Sequence, residues 1–163
     1  MTTAVLSLVS QNDLRGLNGR RKRLSARFSG SEKRFLLQNE LCRIATSYKD
    51  DPHVVPVSYI FDKNRIFIAI GYGDKKYKNL KRNSKTALVV DVYKSSVDNK
   101  AIMVTGEAEF VTTKAEFDRL YKIFSKKFEW YKLHPWNRHE GTFVRIRPKL
   151  KQSWGIVGDQ KNI

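Results

Sequence analysis

Between residues 41 and 111 the chain repeats one pattern, short runs of β-branched, aliphatic and aromatic residues separated by Asp, Asn, Lys and Pro. The runs are LCRIATSY, VVPVSYIF, RIFIAI, TALVVDVY and AIMVTGEAEFV, with KDDPH and DKNR as turns after the first two. Alternation within a run marks a strand with one buried face. In RIFIAI, Ile66, Ile68 and Ile70 share a face against Arg65, Phe67 and Ala69. TALVVDVY puts Leu88, Val90 and Val92 on one side and Asp91 on the other, an odd residue for so apolar a strand. In the next run Ile102, Val104, Ala108 and Phe110 oppose Thr105, Glu107 and Glu109.

Two stretches switch to a helical period. Ser29 and Glu32 have the spacing of a capping box, and Phe35, Leu36, Leu37 and Leu41 follow with helical spacing. Thr113 and Glu116 repeat the box, ahead of a stripe of Phe117, Leu120, Tyr121, Phe124 and Phe128. A third, shorter helix is predicted at KKYKNLKR, where Asp74 is the N-cap candidate and Tyr77 and Leu80 are the docking pair. TFVRIRP and QSWGI supply the last strands. Six or seven antiparallel strands, one short helix between two of them and one long amphipathic helix late in the chain predict a mainly β fold, a small barrel with peripheral helices.

Composition adds a charge problem. The chain has 163 residues, 40% hydrophobic and 12% aromatic, enough for one domain with a real core. Its 32 basic side chains outnumber 16 acidic ones, for a net charge of +16. Such a balance attracts polyanions or phosphorylated ligands. The single cysteine, Cys42, excludes an internal disulfide and fits a reducing, cytoplasmic setting. No run approaches the roughly 20 apolar residues of a membrane span, and AVLSLV is too short for a secretory segment.

Residues 1–30 read as a basic, flexible arm, residues 31–157 as the folded domain and residues 158–163 as a tail. The arm either contacts nucleic acid or is solvated. His53, His134 and His139 lack metal-ligand spacing, and no nucleophile elbow or dinucleotide fingerprint is present.

The segment GYGDKKYKNLKRNS carries the sharpest chemistry. Lys75 and Lys76 fall in the first turn of a helix, where the dipole is already positive and cations are misplaced by roughly 0.3–1 kcal/mol each. An anion bound there resolves the conflict, since free N–H groups and lysines together cradle phosphate. A solvated lysine face is the alternative.

The order IATSY, then PHVVPVSYIF, then KKYKNLKRN, then VTGEAEFV resembles the flavin-binding split β-barrel proteins related to pyridoxamine phosphate oxidase, over about Phe35 to Trp154. The resemblance implies a split barrel that forms a homodimer with two cofactors in the interface. It implies that the strand His53, Val54, Val55, Pro56, Val57 and Ser58 runs beside a flavin, that Lys75 and Lys76 clamp its phosphate, and that Ala69 and Ile70 approach the same group. It implies that Trp154 packs against the cofactor of the partner subunit. Arginine is common in the family where Lys75 and His53 stand, and lysine where Ser58 stands, so fewer bidentate donors face the phosphate here. The implied cofactor is FMN, or alternatively the deazaflavin coenzyme F-420. The implied activity is an oxidoreductase acting on a small molecule. A nucleic-acid-binding module using the arm and the lysine segment, or a flavin carrier without turnover, are the competing readings.

Overall fold

In the computed structural model, residues 27–156 are described. The predicted arm, except its last four residues, and the predicted tail lie outside them. The order is α1 (Gly30–Gln38), β1 (Leu41–Tyr48), β2 (Asp51–Asp62), β3 (Arg65–Gly71), α2 (Lys75–Arg82), β4 (Lys85–Tyr93), β5 (Asn99–Phe110), α3 (Lys114–Lys127), α4 (Trp130–Leu133) and β6 (Gly141–Trp154). The six strands close into one antiparallel barrel in the order β1-β2-β3-β6-β5-β4.

The first two hairpins are tight because both central residues of each turn take positive φ. These are Lys49 and Asp50 at 52° and 57°, and Lys63 and Asn64 at 47° and 62°. Such turns match the right-handed twist of the strands they join. KDDPH is therefore a two-residue turn, and Asp51, Pro52 and His53 already belong to β2.

The predicted inward faces fill the barrel: Ile66, Ile68, Leu88, Val90, Ile102 and Val104 are all buried there, joined by Ile44 of β1. Phe67 points the other way, into a second core beneath α3 with Ile60, Phe117, Leu120, Phe124, Phe128, Tyr131 and Phe143. This aromatic layer covers the outside of β2, β3 and β6. Nothing among the described residues covers the outside of β1, β4 and the start of β2, where Val54 and Leu41 are 62% and 57% exposed.

At one barrel end α1 is a plug. Its capping box forms in both directions between Ser29 and Glu32, and the Glu32 carboxylate also accepts from Lys151 Nζ at 2.5 Å and Ser153 Oγ at 2.6 Å. Phe35 and Leu36 are buried, and Phe28 packs edge-on to Phe61. Leu37 and Leu41 depart from the predicted stripe: both are exposed, and Leu41 opens β1. At α3 the Thr113 hydroxyl accepts from the Glu116 N–H, but the Glu116 carboxylate turns to Arg145 at 2.6 Å.

The last strand is one element of 14 residues, where two strands were expected. Pro148 interrupts the sequence pattern, and the structure accommodates it at a register shift opposite Gly106. Proline is tolerated at such a bulge. The bulge brings the backbone so close that a Cβ on Gly106 would stand 2.1 Å from the Arg147 carbonyl oxygen.

Candidate functional site

The other barrel end brings the first half of β2, with His53, near Lys75 at the start of α2. In β2 the side chains alternate. His53, Val55 and Val57 turn toward the barrel, and Val54 and Pro56 turn out. Thr46 of β1 pairs with both His53 and Thr86 in the strand register, so these three residues form one rung across β2, β1 and β4. Thr46 and Thr86 are buried. The Thr86 hydroxyl donates to the Ala45 carbonyl at 2.7 Å, and the Thr46 hydroxyl accepts from the Asn79 amide of α2 at 3.2 Å. Asn79 and Leu80 are the buried residues of α2, and Asn83 donates to the Ser47 carbonyl at 3.0 Å. The helix is thus pinned over the rung by amide side chains as well as by Leu80 and Tyr77.

An open cleft of about 300 Å³ lies beside this rung, lined by Ala45, Thr46, Pro52, His53, Val54, Lys85, Thr86 and Ala87, with Ser47 at its edge. The Nδ1 atom of His53 is buried and has no hydrogen-bond partner among the described residues. A buried polar atom without a partner is costly and calls for a specific explanation.

The turn from β3 into α2 sets up the second half of the site. Asp74 stands at the N-cap position, but its carboxylate does not cap the helix. It accepts instead from the Gly71 N–H at 3.0 Å and from Lys76 Nζ at 2.5 Å. The first turn of α2 therefore keeps its N–H groups without a side-chain cap, and it contains no acidic residue. Lys75 reaches across to Asp51 at 2.7 Å and remains half exposed, whereas the Lys76 side chain is only 15% exposed. Two lysines with two aspartates leave the helix dipole as the unbalanced positive term.

Other predicted residues stand apart. Ile70 is a barrel-core residue, and Ala69 packs into the layer under α3. Ser58 pairs with Leu41 at the α1 end of β2. Trp154 is 47% exposed on the outer face, opposite Ala101, and its Nε1 donates to Asn99 at 2.9 Å. Within one chain it does not line the cleft. Asp91, unexplained by the sequence pattern, forms an ion pair with Arg43 across the β1–β4 pair. The residues that sequence reasoning missed are Thr46, Thr86, Asn79, Asp51 and Lys85. Asn79, next to the docking residue Leu80 in a lysine-rich helix, was the one sequence signal, and it pointed only to a polar partner such as Thr46.

A larger cavity of about 550 Å³ lies outside β3 against α3, lined by Lys63, Arg65, Phe67, Thr113, Ala115, Glu116 and Arg119. Arg119 there is held by Asp62, and Glu116 by Arg145. It contains none of the predicted residues, and its chemistry is that of a paired surface network. The titratable groups of the α1 end are structural too. Burial pushes the Cys42 thiol up to about 12, which leaves it unreactive. Burial lowers the Lys127 ammonium, which donates to the Asn39 carbonyl at 2.7 Å. Among the described residues no group of three His, Cys, Asp or Glu is placed to hold a metal ion, and no helix is long and apolar enough to cross a membrane.

The architecture is that of a split β-barrel with peripheral helices. A family model described as pyridoxamine 5'-phosphate oxidase matches residues 30–154, and the chain belongs to that family. No curated protein matches the sequence. Among solved structures, a FAD-binding protein from Mesorhizobium loti is 22% identical with a TM-score of 0.63, covering 77% of this chain and 94% of its own. A FAD-binding protein from Mycobacterium smegmatis is 17% identical with a TM-score of 0.55, over 77% of this chain and 93% of its own. A heme-binding protein from the same organism is 13% identical with a TM-score of 0.65, over 83% of this chain and 57% of its own. At these identities the likeness is one of fold.

Proposed function

We propose that the protein binds a flavin nucleotide in the cleft between β1, β2 and β4 and serves as an oxidoreductase for a small molecule. The observation that carries this reading is the orphaned Nδ1 of His53 at the cleft wall, at the barrel end that α2 covers. A planar, polar ring edge laid along His53–Val57 gives that nitrogen a partner once the imidazole turns toward the cleft. The uncapped first turn of α2, with Lys75 and Lys76, is the matching receptor for a phosphate. FMN supplies both parts. The deazaflavin coenzyme F-420 does as well, and its longer anionic tail suits a chain of net charge +16.

The bound ring supplies hydride or electron transfer when present. The chain's own residues orient it. The backbone of β2 lies along its edge, the lysines hold its phosphate, and Thr46 with Asn79 fixes α2 over the rung. Among the described residues no side chain is positioned as a dedicated acid or base, so their share of catalysis is placement and exclusion of water.

The uncovered outer face supports a homodimer. Val54, Ala45 and Ala87 lie abreast in one rung, and Pro56, Arg43, Val89 and Met103 in the next. Mostly small or apolar side chains, with the Arg43–Asp91 pair among them, make a flat surface that a second copy covers, and the cleft opens beside it. Trp154 shares this face, so a partner subunit's copy of it is the one available to a cofactor.

The test is the absorption spectrum of the purified protein, with mass analysis of whatever heat releases. FMN or F-420 in the supernatant supports the reading and selects between them. Bound cofactor that no small-molecule donor reduces and no acceptor reoxidises leaves a carrier. A protein that takes up neither on titration overturns it.

A further inference from the structure

The excess positive charge is not confined to the arm, because most of it lies within residues 27–156. Its placement is uneven. On β6 every cation from Arg145 to Lys151 has a carboxylate partner, drawn from Glu109, Glu116, Glu107 and Glu32. On α2 the exposed residues Lys78, Lys81 and Arg82 have no carboxylate partner among the described residues, and the helix contains no acidic residue at all.

Lys78 is three residues before Lys81 and four before Arg82, spacings at which like charges repel along a helix. The fold thus retains a mildly unfavourable cluster where alternating carboxylates would relieve it. The β1–β2 hairpin extends the cluster. The Arg82 guanidinium stacks over the Tyr48 ring at 4.9 Å, and Lys49 lies over the same ring at 5.7 Å. Asp50, exposed beside Lys49, is an acid that neither Lys75 nor Lys76 engages. The sequence interleaves only Tyr72 and Tyr77 with these cations; Tyr77 packs between Tyr72 and Phe110, and the Tyr72 hydroxyl is tied to the Arg138 carbonyl. The hairpin brings in the aromatic that the linear pattern lacks.

We propose that the exposed face of α2, with Tyr48 and Lys49 of the hairpin, binds the sugar–phosphate backbone of a single-stranded nucleic acid. Lys78, Lys81, Arg82 and Lys49 contact phosphates, and the Arg82–Tyr48 stack is the platform on which a base lies. The contacts are to backbone and base faces, so sequence preference is weak. This surface does not depend on the cofactor reading: Lys78 and Arg82 lie outside the cleft lining, on the solvent side of the helix.

The experiment is fluorescence anisotropy of a labelled oligothymidylate titrated with full-length protein across a series of salt concentrations. Each phosphate contact on a single strand contributes about 0.7 to the slope of log affinity against log salt. Neutralising Lys78→Gln with Arg82→Gln should lower that slope by about 1.4, with bound cofactor unchanged. Lys122→Gln with Lys126→Gln, the same charge change on exposed positions of α3, should leave it unaltered. Equal effects from both pairs would reduce the observation to net charge. An unchanged slope in the α2 variant, or no binding at the lowest salt, overturns the proposal. So does more effective competition by phosphatidylserine vesicles than by unlabelled single strands, which would assign the surface to a membrane.

Discussion

The Lys75 ammonium lies 2.7 Å from the Asp51 carboxylate, joining the first residue of α2 to the first residue of β2. Both side chains are about half exposed or more, so the pair contributes little to stability, within about 1 kcal/mol. Its consequence is electrostatic: Asp51 places a negative charge beside a lysine assigned to a phosphate. Replacing it, Asp51→Asn, should tighten FMN binding about three- to tenfold while shifting unfolding free energy by less than about 0.5 kcal/mol. Fluorescence titration and urea denaturation read the two effects separately. Weaker FMN binding in this variant would mean that Asp51 positions Lys75 rather than competes for it.

His53 offers the complementary test. Its buried Nδ1 has no partner among the described residues. A ligand that supplies one gains a hydrogen bond of about 1–1.5 kcal/mol, so His53→Ala should weaken cofactor affinity about tenfold. The cofactor-free variant should melt at the same temperature as the parent or slightly above it, because an unsatisfied group is removed. A large loss of stability without cofactor would identify His53 as a structural residue of the barrel end.

At the opposite end, Glu32 ties α1 to β6. Burial works against its charge, but the hydrogen bonds from Lys151, Ser153 and the Ser29 N–H prevail and lower its pKa from 4.5. A depressed carboxylate stabilises the fold fully above its unfolded value, and the contribution is lost as pH falls through the lower folded value. Glu32→Gln should cost about 1–3 kcal/mol at neutral pH and flatten the acid limb of the stability curve below about pH 4.5. Denaturant midpoints measured from neutral pH downward give both numbers. An acid limb as steep in the variant as in the parent would assign the acid sensitivity to other carboxylates.

Local chemistry made most of the barrel legible in the sequence. The alternation of Ile66, Ile68 and Ile70, or of Ile102 and Val104, is a direct image of an inward face. What was not legible depends on partners distant in the chain. Closure of β1 on β4 and of β3 on β6 has no local signature. Pro148 obscured the unity of β6 because its tolerance depends on Gly106, far back in β5. The site was half visible. Misplaced cations at a helix start flagged Lys75 and Lys76, yet the Thr46–Asn79 bond and the carboxylates that answer the lysines emerge only when β1, β2 and α2 converge. Asp91 looked anomalous until Arg43 was brought beside it.

The central claim is that the uncapped first turn of α2 and its two lysines hold a cofactor phosphate. Its most direct test is a flavin fluorescence titration of FMN into cofactor-free parent protein and into Lys75→Glu with Lys76→Glu, with circular dichroism confirming that both are folded. Loss of two charge-assisted hydrogen bonds should weaken binding at least about a hundredfold. A folded double variant that binds FMN as tightly as the parent would contradict the claim.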